Sequence, residues 1–71
     1  MTNEKLLEQI IKESGLKRGF IAESLGITRW GLLNKLTNQT EFKASEIAAL
    51  QDLLRLDNET RDQIFFDNRE V

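Results

Sequence analysis

Arg29, Trp30, Leu33 and Asn34 bring two hydrogen-bonding side chains and two large apolar ones into one short stretch, at spacings that share an arc of an α-helix. An Arg fork matches the two acceptors on a guanine edge, Asn matches adenine in the same bidentate way, and an apolar side chain can rest on a thymine methyl. Trp30 and Leu33 equally fit burial in a core or contact with a second chain, since large apolar side chains are usually buried. Arg29 falls in the first turn of its helix, where the helix dipole disfavours a cation. A residue chosen there for stability alone would be acidic, so Arg29 points to a functional contact.

Catalytic chemistry has few candidates. The 71 residues contain no His, Cys or Tyr, which removes imidazole and thiolate nucleophiles, disulfides and zinc fingers together. The acids Glu46, Asp52 and Glu59 lie on amphipathic segments without a glycine-rich loop or a partner base, and read as solvated faces. No enzyme activity, metal, cofactor or small-molecule substrate is therefore expected. No apolar run exceeds four residues, far short of the ~20 needed to cross a bilayer, so the expected location is cytoplasmic with no membrane contact. A chain of this length supports one domain over residues 1–71, with a small core and a stability of a few kcal/mol.

The elements that must hold Arg29 to Asn34 follow from periodicity and punctuation. Leu6, Leu7, Ile10 and Ile11 recur at helical spacing between a capping candidate, Asn3, and a stop, Gly15, predicting a first helix over 4–13. Phe20, Ile21 and Leu25 predict a second over 18–25, closed by Gly26. Thr28 caps a third over 29–37, in which Leu32 and Leu36 share the inward face. Thr37 to Glu41 is a polar loop, and Phe42 anchors the chain back into the core. Ile47, Leu50, Leu53 and Leu54 mark a fourth helix over 44–54, with Leu56 packing below it. Asp57 caps a fifth over 58–66, and residues 67–71 are expected to fray. The fold class is all-α, five helices around one core, with no strand signal.

Charge is unevenly divided along this frame. The net charge of −2 and pI near 5.0 argue against a polyanionic partner at first sight. Residues 17–43 nevertheless hold Lys17, Arg18, Arg29, Lys35 and Lys43 against Glu23 and Glu41, a local +3, while residues 44–71 hold seven acids against three bases. Basic charge is concentrated where the outward row lies. Helix two, a tight turn containing Gly26 and helix three also have the spacing of a helix-turn-helix unit. Ala22 allows close crossing, Gly26 supplies a left-handed turn residue, and Ile27 and Leu32 fill the angle between the helices.

The stretch Leu16 to Leu36, LKRGFIAESLGITRWGLLNKL, resembles the repressor/Cro type of helix-turn-helix of phage and bacterial regulators, the XRE-like group. The later KLTNQTEFKASEI, followed by IFF, resembles small phage Cro-like proteins of that group, and the likeness covers about residues 4 to 66. The resemblance implies a lambda-repressor-like fold and a minimal transcriptional repressor that sets helix three in the major groove of a double-stranded DNA operator. Arg29, Trp30, Leu33 and Asn34 would then face bases. Lys17, Arg18, Thr28, Lys35 and Lys43, with the loop residues Asn38, Gln39 and Thr40, would meet phosphates. Two departures stand out. Lys35 occupies a position that is apolar in many relatives, with Leu36 taking the packing role one residue later. Gly19 and Gly31 each cost about 1 kcal/mol relative to Ala inside a helix; Gly31 fits close backbone approach to DNA, or no role at all.

Ile64, Phe65 and Phe66 form the apolar end of helix five, more than one inward face can cover, so at least one is expected at a homodimer interface. In repressor-like domains a C-terminal element of this kind forms a two-fold dimer that reads two half-sites. The competing reading is a helical protein-interaction module, such as an antitoxin or anti-repressor, whose contact surface is Trp30, Leu33 and Phe66.

Overall fold

The described residues form five helices: α1 (Glu4–Ser14), α2 (Arg18–Leu25), α3 (Arg29–Leu36), α4 (Ala44–Leu54) and α5 (Asn58–Phe65). The computed structural model describes residues 1–66, and no strand occurs among them; the expected fraying of 67–71 falls outside the described residues. Every helix boundary lies within one residue of the expected one, because the caps that set them act locally. Asn3 accepts from the Leu6 N–H at 3.2 Å, Thr28 Oγ1 from Gly31 N–H at 2.9 Å, and Asp57 from Thr60 N–H at 2.7 Å. Gly15 and Gly26 end α1 and α2 at φ 75° and 74°, backbone that a Cβ would strain. The α2–α3 turn is closed by Gly26 N–H on Glu23 O and Ile27 N–H on Ala22 O, each 3.0 Å.

The core takes Leu7 and Ile11 from α1, Ile21 and Ala22 from α2, Leu32 and Leu36 from α3, Ile47 and Leu50 from α4, and Ile64 and Phe65 from α5. Phe42 anchors the loop before α4 and meets the Phe65 ring edge-on, centroids 5.4 Å apart. Each such aliphatic or aromatic side chain contributes roughly 1.5–3 kcal/mol by leaving water. α2 packs on both α3 and α4, and α1 lies across α3, α4 and α5. Asn3 N–H donates to Ile64 O at 2.7 Å, so the start of α1 is tied to the end of α5.

Three expectations change. Phe20 is half exposed rather than inward: with Ile21, Ala22 and Leu25 defining the buried arc of α2, Phe20 sits about 145° from its centre. Ile64 and Phe65 do not form a surface at all, being 0% and 6% exposed, because α5 inserts both into the gap between α1, Phe42 and α4. Only Phe66, at 55%, is presented to solvent. Glu46 is a buried acid, not part of a solvated face.

Candidate nucleic-acid interface

Thr28 and Gly26 fix where α3 begins, and Leu32 and Leu36, both fully buried, fix how it is rotated. That rotation leaves Arg29, Trp30 and Leu33 on the outside, with Asn34 at the edge of the same face. Trp30 is 70% exposed and Leu33 42%, so neither belongs to the core. Arg29, Trp30 and Leu33 line a shallow cleft with Arg18, floored by Leu32 and Leu36. The Arg29 stem lies along Gly19 of α2: a Cβ at Gly19 would sit 3.5 Å from Arg29 Cδ. The side chains of Arg29 and Asn34 have no hydrogen-bond or ion-pair partner among the described residues, leaving the guanidinium and the carboxamide free to meet a ligand.

The residues expected at phosphates divide into two groups. Lys17, at the start of α2, shares an open groove with Arg29, and Lys43 stands at the start of α4 beside the C-terminal half of α3; both are exposed and make no ion pair with a described residue. The two lysines therefore stand at opposite ends of α3. Thr28 Oγ1 accepts from Gly31 but keeps its own O–H to donate. Gln39 and Thr40 use only their backbone N–H groups, both on Asn34 O, at 2.8 and 3.2 Å.

The second group is already engaged. Lys35 Nζ donates to Glu46 Oε1 at 2.8 Å and to Glu41 O at 3.2 Å, with its side chain only 11% exposed. It lies near the Phe42 ring, in keeping with a position that wants a packed residue, and as placed it does not reach solvent for a phosphate. Asn38 is turned inward at φ 63°: Oδ1 accepts from Thr2 N–H, and Nδ2 donates to Thr2 O and to Glu4 Oε2, each at 2.9 Å. Arg18 grips Glu8 with both terminal nitrogens, at 2.6 and 3.2 Å, and this pairing holds the guanidinium pKa above its ordinary value.

Gly31 has a local role. A Cβ there would come within 3.2 Å of Thr28 Oγ1, the atom that caps α3, so the glycine makes room for the cap. Glu8, Thr2 and Glu46 were not among the residues that the sequence singled out as partners of this face. Their partners lie 10, 36 and 11 residues away, and no local pattern announces such pairs. Phe20 was visible in principle, as the residue outside the Ile21–Leu25 arc. It lines the groove shared by Lys17 and Arg29 and adds apolar surface beside the cations.

Among the described residues no group of His, Cys, Asp or Glu could hold a metal ion, and no helix is long and apolar enough to cross a membrane. Comparison with known protein families, with curated proteins and with solved structures finds no match to the chain.

Proposed function

We propose that the chain is a sequence-specific binder of double-stranded DNA, a minimal repressor of the Cro-like helix-turn-helix kind that lays α3 in the major groove. The carrying observation is one face on which Arg29 and Asn34 stand unpaired, with unpaired Lys17 and Lys43 at either end of α3. A helix of this size fits the major groove, and a bracket of cations suits a phosphate backbone on both sides of it. Base readout is assigned to Arg29 and Asn34, and phosphate contact to Lys17, Lys43, the Thr28 hydroxyl, Gln39 and Thr40. With Lys35 paired internally and Arg18 held by Glu8, attraction to DNA is restrained and the salt dependence shallow, about −0.9 in log–log slope per phosphate neutralised.

A two-fold partner is assigned to the end of α5, where exposed Phe66 and Met1 rim a small groove over Phe42, Ile47 and Phe65. Phe66→Ser should lower the mass seen by sedimentation at micromolar concentration; an unchanged mass removes Phe66 from the interface.

Selection of bound sequences from a random duplex pool tests the main reading. Enrichment of a palindrome supports it, and Arg29→Ala should then lose about 1 to 3 kcal/mol of specific binding with the fold intact. The exposed indole of Trp30 favours a second reading, an interaction module, in which nothing is enriched and Trp30→Ala abolishes capture of a protein partner.

A further inference from the structure

Half of the outward face of α3 cannot read hydrogen bonds. Leu33 has no polar atom, and Trp30 offers a single indole N–H on a large apolar body. Both remain exposed although the core is filled by their neighbours Leu32 and Leu36, so their exposure is not a failure of packing. They share one cleft with Arg29 and Arg18. Cations line the strip itself, Arg29 unpaired and Arg18 held by Glu8; the neighbouring groove sets Lys17 against Glu8 and Glu23, and Lys43 stands near the far end of α3. An apolar protein surface would have to desolvate those cations. A polyanion would neutralise them, and the question becomes what apolar group a polyanion can offer.

The major groove of DNA offers one, the 5-methyl of thymine. Apart from small C–H edges such as cytosine C5–H, the other groups on its floor are hydrogen-bond donors or acceptors, which Trp30 and Leu33 would strip of water without replacing the bond. Resting on the DNA-binding reading above, we propose that Trp30 and Leu33 are specificity-determining residues that read thymine methyls, so that the preferred half-site carries thymines where α3 crosses it. Within the same face the two chemistries are complementary to A·T pairs: Asn34 suits an adenine edge and Leu33 a thymine methyl. Arg29, steadied along Gly19 at the N-terminal end of the row, takes guanine at the border of the site. Discrimination against G·C then arises as much from the cost of desolvating polar edges as from attraction.

The test uses the full chain and a duplex recovered from the random pool, in which each thymine is replaced in turn by deoxyuridine, a change that deletes one methyl and no hydrogen bond. At one or two positions per half-site, affinity should fall about fourfold per methyl removed, the worth of one buried carbon. At the thymine that Leu33 reads, Leu33→Ala should lose most of the thymine-over-uracil ratio, while any second, Trp30-dependent position keeps it. Arg29→Ala should bind both duplexes more weakly and keep the fourfold ratio at every such position. Equal affinity of the unaltered protein for thymine and uracil duplexes at every position overturns the inference while leaving DNA binding intact. If no duplex binds even at low salt, the DNA-binding reading itself has failed, and the face belongs to a protein partner. Because Leu33 is outside the core, circular dichroism of Leu33→Ala should match that of the parent chain.

Discussion

Lys35 Nζ lies 2.8 Å from Glu46 Oε1, and that same carboxylate oxygen accepts the Lys43 N–H at 2.8 Å. One atom thus joins α3 to the start of α4 and substitutes for the side-chain cap that Lys43 does not provide. Both side chains are nearly buried, at 11% and 7% exposure, so removing one partner strands the other. Glu46→Ala should destabilise the protein by roughly 2 to 4 kcal/mol in urea unfolding, because it leaves an ammonium with a single carbonyl and an open helix end. Lys35→Met should cost less, since Glu46 keeps its bond from Lys43 and the thioether fills the space beside Phe42.

The same carboxylate sets a pH dependence. Burial raises the Glu46 pKa, but hydrogen bonds from Lys35 and Lys43 and their charges outweigh it and hold the group below its ordinary value. A depressed acid contributes stability that is complete above its unfolded pKa and is lost as pH falls through the folded one. Unfolding midpoints should therefore decline from the ordinary carboxylate range downward, with Asp57, lowered by the Thr60 N–H and hydroxyl, adding in the same direction. Glu46→Gln should flatten that decline, and a parallel acid limb in Glu46→Gln would assign the loss to other groups.

The helices and their caps were legible because each depends on residues within one turn. Asn3, Thr28, Asp57, Gly15 and Gly26 perform the roles their types suggest. Leu32 and Leu36 likewise announced the inward face of α3, and so exposed Arg29, Trp30 and Leu33. What the sequence concealed were pairings between elements. Lys35, Arg18 and Asn38 look like free polar residues until the fold brings Glu46, Glu8 and Thr2 to them. Phe65 misled for the same reason, since the gap it fills exists only once Phe42 and α4 are in place.

Under the proposed DNA-binding reading, Glu8 is the group that a phosphate must displace from Arg18. The pair is bidentate but half exposed, so its own contribution to stability is small. Glu8→Gln should change the unfolding free energy by less than about 0.5 kcal/mol. It should raise affinity for any duplex, specific or not, and steepen the salt slope by about 0.9, the signature of one further phosphate neutralised. Weaker binding in Glu8→Gln would mean that Glu8 instead holds Arg18 in its working position.

Gly19 and Gly31 should respond to alanine in opposite directions. At Gly19 the new methyl would meet Arg29 Cδ at 3.5 Å, an ordinary contact, so Gly19→Ala should stabilise α2 by about 0.5 to 1 kcal/mol. At Gly31 the methyl would press to 3.2 Å on Thr28 Oγ1, so the gain in helix propensity is offset by a weakened cap. Thermal melts of the two variants beside Thr28→Ala separate the effects: Gly31→Ala should cost little once Thr28 is already Ala.

Asn38 tests whether a polar loop residue serves the fold or the ligand. Its carboxamide closes a reciprocal pair with the Thr2 backbone, and its φ of 63° is one that a β-carbon without a polar head resists. Asn38→Gly removes the pair and keeps the backbone comfortable; Asn38→Ala removes the pair and adds strain. Asn38→Gly should therefore lose about 1 kcal/mol of stability through its hydrogen bonds, and Asn38→Ala about 1 kcal/mol more through its backbone. DNA affinity, measured where both variants are fully folded, should be unchanged in each. A drop in affinity shared by the two, larger than their loss of stability explains, would return Asn38 to the phosphate contacts. The ordering of the two stabilities would still report the φ that the loop imposes.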